Sequence, residues 1–120
     1  MSNDRFSIQE TEIFRETAAR HFSAEEQAAL KIRISNDPYL DAKLLVEEAP
    51  TFLKLAFPSK AKAGCRSPVV IYMVDEAQCR VLLIAVEDPV MLRAKLPGLK
   101  STLKIAGHVA LQLLLKALFG

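Results

Sequence analysis

Tryptophan is absent from this chain, glycine occurs four times, and cysteine and histidine twice each. Two thiols, Cys65 and Cys79, are too few to staple a disulfide scaffold or to close a zinc site. His21 and His108 have no metal-like spacing to each other or to the thiols. No metal and no other cofactor is expected. Gly64 stands isolated, so there is no glycine-rich loop to cradle a phosphate. The opening residues, MSNDRFSIQE, lack the apolar run of an export signal. The most apolar stretch, 105–119, is shorter than the ~20 residues that cross a bilayer, and it carries Lys116. A reducing, cytoplasmic setting without membrane contact is the simplest expectation.

What the chain does contain is enough for one folded domain over residues 1–120. Of its 120 residues 51% are hydrophobic and 25% charged, the balance of an ordinary globular protein. The net charge of +2 hides a division along the chain. Residues 1–50 hold 10 acids and 6 bases, whereas residues 51–120 hold 4 acids and 10 bases. A basic second half can attract phosphates without a high overall charge, although the same counts also describe a solvated, mixed surface.

Periodicity divides the chain into a strand and helical hairpin (1–50), a sheet (51–88) and C-terminal helices (89–120). Arg5–Gln9 alternates as a short strand. Phe14, Ala18 and Phe22 recur every fourth residue, which predicts a helix from Thr11 to Phe22. Ser23-Ala24-Glu25-Glu26 has the spacing of a capping box and opens a second helix, which Asn36-Asp37-Pro38 ends. Thr51–Phe57 reads as a strand with Leu53, Leu55 and Phe57 on one face and Phe52, Lys54 and Ala56 on the other. Val69–Val74 and Val81–Val86 are nearly continuous apolar runs, as in strands covered on both faces. They are expected to pair as an antiparallel hairpin with Val74 opposite Cys79. That register puts Cys65 roughly 30 Å from Cys79, too far for a disulfide, and brings Arg66 beside Glu87. Val90–Leu96 predicts a helical turn or two broken at Pro97-Gly98. Ser101–Leu118 predicts a final helix, apolar except for a stripe of Lys104, His108, Gln112 and Lys116, and so in need of cover from its own sheet or from a second copy. The expected fold is α+β: an antiparallel sheet with two N-terminal helices on one face and an apolar C-terminal helix.

The order strand, two helices, three strands resembles that of the RelE/HigB-type toxins of bacterial toxin–antitoxin pairs. The likeness rests on the basic strand and loop Lys54-Leu55-Ala56-Phe57-Pro58-Ser59-Lys60-Ala61-Lys62-Ala63-Gly64-Cys65-Arg66, on Val70-Ile71-Tyr72, on the last apolar strand Val81–Val86, and on Asn36-Asp37-Pro38 after helix two. What the resemblance implies is metal-independent cleavage of mRNA on the ribosome, the messenger's own 2′-hydroxyl being the nucleophile. It implies growth inhibition, with neutralisation by a protein antitoxin. By position it assigns Lys54, Arg66 and Tyr72 to catalysis, and Lys60 and Lys62 to RNA binding. The family's arginine directly precedes its Val-Ile-Tyr. Here Val69 holds that place, and Arg66 fits only if a bulge absorbs the offset. The family's aromatic-x-Lys at the end of the last strand falls near Val86–Asp88 here, where the carboxylates of Glu87 and Asp88 would repel a phosphate. Two other functions stay open: a catalytically inactive toxin-like module for protein interaction, and a gyrase inhibitor of ParE type. A tyrosine in a central strand is more often a core residue than a catalytic one.

Overall fold

The computed structural model describes residues 5–47, 50–60 and 67–106, with side chains as far as Gly98. Within them the chain runs β1 (Ser7–Glu10), α1 (Glu12–His21), α2 (Ala24–Asn36), β2 (Lys43–Leu44), β3 (Phe52–Ala56), β4 (Val69–Asp75), β5 (Arg80–Glu87) and α3 (Pro89–Ala106). The class is α+β, as expected. The sheet, however, is mixed rather than antiparallel. Its order is β1-β5-β4-β3-β2, and β1 lies parallel to β5 with Ser7 opposite Arg80 and Glu10 opposite Leu83. Turn residues announce antiparallel partners that follow one another in sequence; a parallel pair so far apart along the chain leaves no such signal.

Period-two alternation sorts the strands onto two apolar faces. Leu53, Leu55, Val70, Tyr72, Val74, Val81, Leu83 and Val86 meet Phe14, Ala18 and Phe22 with Leu30 and Ile34 of α2. Phe52, Val69, Ile71, Ile84 and Ala85 meet Leu45, Val46 and Leu92 on the other side, with Leu96 beside them. Phe57 joins the first cluster and Phe52 the second, as their alternation requires. Cover on both faces is why β4 and β5 read as almost unbroken apolar runs.

The hairpin register differs from the expected one. Val74 faces Val81, not Cys79, and Asp75 faces Arg80. The turn therefore holds residues 76–79, with Cys79 at φ 54 and its N–H donated to the Glu76 carbonyl. A β-bulge lies within β5: Ile71 faces Ala85 and Tyr72 faces Leu83, which leaves Ile84 unmatched. The extra residue explains why consecutive Ile84 and Ala85 both lie on the α3 side. It also leaves backbone groups on the edge of β5 beyond the end of β1, and α1 satisfies them. Thr11 donates its N–H to the Leu83 carbonyl and its hydroxyl to that of Ile84, at 3.0 and 2.7 Å. Val86 donates its N–H to Thr17 Oγ1 at 2.9 Å, and that hydroxyl donates to the Ile13 carbonyl at 2.7 Å. Thr17→Val keeps the shape and removes the acceptor from a buried N–H. We expect a loss of about 1–3 kcal/mol in chemical unfolding.

The helical hairpin is tied down at both ends. Ser23 and Glu26 form the capping box read from the sequence, with Glu26 N–H on Ser23 Oγ at 3.1 Å and Ser23 N–H on Glu26 Oε1 at 2.9 Å. At the far end Phe6 N–H donates to the Ser35 carbonyl, and Ser35 Oγ donates to that of Phe6. Helix α3 corrects a further expectation, because it continues through Pro97 instead of stopping there. Interior proline costs about 3 kcal/mol in lost bonding and crowding. Leu92 and Leu96 lie one turn apart on the sheet just before it, so tertiary burial offsets the local preference. The segment expected as helix beyond residue 106, and with it the expected dimer contact, lies outside the described residues. Among the described residues no helix is long and apolar enough to cross a membrane.

Candidate functional site

Lys54 stands in the middle of β3 on the face away from α1 and α2, between the inward-facing Leu53 and Leu55. Directly across from it on β2 is Lys43. Like charges at opposed positions of an antiparallel pair disfavour the sheet, so this pairing is an energetic concession unless an anion relieves it. A third cation, Arg93, comes from α3, where it lies within one turn of the sheet-packed Leu92 and Leu96. The three line one cleft of about 260 Å³, with Asp41, Ala56, Val69, Pro89, Leu92 and Leu96 completing its walls. Among the described residues, neither Lys43, Lys54 nor Arg93 has a carboxylate within ion-pair distance. Asp41 is itself engaged by Arg33 Nη2 at 2.8 Å.

Two acids raised as an electrostatic objection are occupied elsewhere. Glu87 does face Val69 across the sheet, but its carboxylate is held by Lys95 Nζ of α3 at 2.7 Å and is mostly buried. The expected ion pair of Glu87 with Arg66 falls on a residue outside the described ones. Asp88 caps α3: its Oδ1 accepts from Val90 N–H at 2.8 Å, and its carbonyl accepts from Leu92 N–H at 2.9 Å. A carboxylate at that helix start is also favoured by the helix dipole.

Two other residues assigned from the sequence, Tyr72 and Lys60, do not line this cleft. Tyr72 is fully buried in the layer beneath α1 and α2, and its hydroxyl donates to the Pro38 carbonyl at 2.6 Å. Burial pushes the phenol well above its ordinary pKa; Arg33 opposes this, and Asp37 and Tyr39 add to it. A neutral phenol with no access to solvent has the properties of a core residue and cannot touch a phosphate in this conformation. Tyr72→Phe should therefore cost about 1–2 kcal/mol in chemical unfolding through the lost bond.

Lys60 belongs to a separate junction. Its N–H donates to Glu26 Oε2 at 2.8 Å, while the buried hydroxyl of Ser59 donates to the His21 carbonyl and to Glu26 Oε1. One carboxylate thus caps α2 and holds the chain as it leaves β3. Backbone N–H groups of Ser23 and Lys60, with Ser59, keep Glu26 below its ordinary pKa of 4.5. Because the folded value is the lower one, the stabilisation is complete above the unfolded value and is lost as pH falls through the folded one. The Lys60 amide resonance should report this, shifting with a midpoint below 4.5. Lys62 and Arg66 lie outside the described residues.

Two members of the cationic set, Lys43 and Arg93, were not among the residues picked from the sequence. Lys43 sits in a two-residue strand with no periodicity to show it. Arg93 carried a usable signal, since a cation beside Leu92 and Leu96 on one short helix marks the border of a packed face. Among the described residues no group of three or more His, Cys, Asp or Glu side chains is placed to hold a metal ion. No protein-family model matches the chain, and no curated protein matches it in sequence.

Proposed function

We propose that the chain is a toxin component of RelE/HigB type, which engages RNA through the Lys43–Lys54–Arg93 cleft in the cytoplasm and is neutralised by a protein antitoxin. The observation that carries this reading is the convergence of three cations, free of carboxylate partners among the described residues, on one open cleft. Such a cleft suits a phosphodiester. The ribose 2′-hydroxyl gives its proton to solvent as its oxygen bonds phosphorus, the P–O5′ bond breaks to leave a 2′,3′-cyclic phosphate, and the 5′-oxygen takes a proton from solvent; in between, negative charge gathers on the phosphoryl oxygens. Fixed cations that strengthen their contact as that charge develops lower the barrier. Proton transfer is assigned to no side chain of the cleft, whose one carboxylate, Asp41, is held by Arg33.

Tyr72 favours a second reading. With its phenol committed to the Pro38 carbonyl, the constellation implied by the resemblance lacks one member, as in a protein that binds without cutting. Incubating the folded chain with translating ribosomes separates the two: defined breaks in the messenger support the toxin reading, and intact messenger supports the binding module.

A further inference from the structure

A second concavity lies at the opposite end of the same strands and shares no residue with the basic cleft. It holds about 550 Å³ and is lined by Tyr39, Pro50, Thr51, Leu53, Met73, Val74, Asp75 and Glu76. Along β4, Met73 is four residues from the Val69 that lines the cleft, a separation of about 14 Å. The two concavities are thus lined by different residues at opposite ends of β4.

The composition of this groove is the reverse of the cleft's. Leu53, Met73, Val74 and the ring of Tyr39 make an apolar floor, whereas Asp75 and Glu76 are acidic. Tyr39 and its neighbour Leu40 are each close to half exposed, as is Leu44, which faces Leu53 from the edge strand β2. Of these, Tyr39 lines the groove itself. Among the described residues the one ion pair at the rim is a loose one, between Arg80 and Asp75 at 3.7 Å. Burial raises the Tyr39 phenol above its ordinary pKa, and Glu76 and Asp37 add to the rise.

We infer that this groove is a docking site for a segment of a partner protein that presents apolar side chains between lysines or arginines. Charge selects that occupant. A nucleic acid or an acidic peptide meets like charge at Asp75 and Glu76, whereas a cationic segment meets opposite charge at the rim and buries its apolar residues on the floor. The inference does not depend on the toxin reading, because the groove has its own residues and its own ligand class.

The test uses the intact chain and three amidated tetrapeptides: lysine–leucine–phenylalanine–lysine, its counterpart with glutamates for the lysines, and lysine–serine–serine–lysine. Binding is followed by backbone amide shifts. The first peptide should bind about tenfold more tightly than either control, with the shifts centred on residues 39, 53 and 73–76. Glu76→Lys, at an exposed turn position, should weaken it about tenfold with the rest of the spectrum unchanged. Tyr39→Ser should weaken it as well, since the floor loses its ring. Equal binding of the glutamate peptide, equal binding of the serine peptide, shifts centred elsewhere, or no binding at millimolar concentration would each overturn the proposal.

Discussion

Replacing Lys54 and Arg93 together by alanine should lower the chain's affinity for single-stranded RNA about a hundredfold. Hydrogen bonds to a charged group contribute about 1.5–3 kcal/mol each, and two at the lower end of that range, as suits an open cleft, amount to roughly two decades in the dissociation constant. The loss should be the same for RNAs of different sequence, because phosphate contacts carry no base information. The salt dependence supplies an independent signature. Two phosphate contacts fewer should flatten the log–log slope by about 1.4 for a single strand. Lys54 and Arg93 come from different elements, β3 and α3, and line the cleft together. Each single variant should accordingly lose part of the affinity. An unchanged slope in the double variant would remove the cleft from RNA binding. Stability should be nearly unaffected by Lys54→Ala, and Lys43 would gain slightly from the loss of a like charge across the pair.

Phe14→Ala should be the most destabilising single truncation in the helical layer, at about 3–5 kcal/mol. Phe14 has no exposed surface and sits in the cluster that joins α1 to the sheet. The surroundings cannot close over the space it leaves. On one side α1 is held to β5 by the bonds of Thr11 and Thr17, and on the other the strands are fixed by their ladders. A cavity that cannot collapse forfeits both the transfer energy and the contacts around it. Urea unfolding of wild type and variant measures this directly. A cost below 1 kcal/mol would mean that the helices repack freely and that the threonine bonds do not set the position of α1.

The sequence was most legible where local chemistry and tertiary burial point the same way. The capping box at Ser23 and Glu26, the alternation through Phe52–Phe57 and the apolar runs of β4 and β5 all have that character. It was least legible where one of the two overrides the other. The partnership of β1 with β5 depends on residues about 70 positions apart and on no turn, so nothing near either strand announces it. Pro97 and Gly98 carry a strong local signal to stop, which the packing of Leu92 and Leu96 outweighs. The hairpin register slipped because both strands are apolar on both faces. Without a polar face to keep in solvent, alternation alone cannot choose between neighbouring pairings.

The candidate site divides in the same way. Lys54 was identifiable because it is the one charge inside an apolar alternating strand. Tyr72 was selected by its place in a Val-Ile-Tyr triplet, yet a side chain in β4 two positions from Val70 and Val74 shares their buried face. Glu87 and Asp88 weighed against a phosphate site as bare charges. Their partners, Lys95 and the first turn of α3, lie within the next eight residues and became visible only once that helix was placed. Lys43 could be joined to Lys54 only by a strand pairing of two residues, too short for any periodic pattern.

The central claim is that this chain acts on RNA through the cleft between the sheet and α3. It is tested most directly by mapping breaks in a defined messenger on translating ribosomes, with the wild-type chain beside the Lys54→Ala/Arg93→Ala variant and with both confirmed as folded. The account predicts ribosome-dependent breaks with the wild type and a loss of at least a hundredfold in their rate with the variant, since removing preorganised charge at a developing oxyanion costs on the order of 10²–10³. Breaks made equally well by both proteins would contradict the assignment of the cleft, and an intact messenger with both would contradict the toxin reading itself.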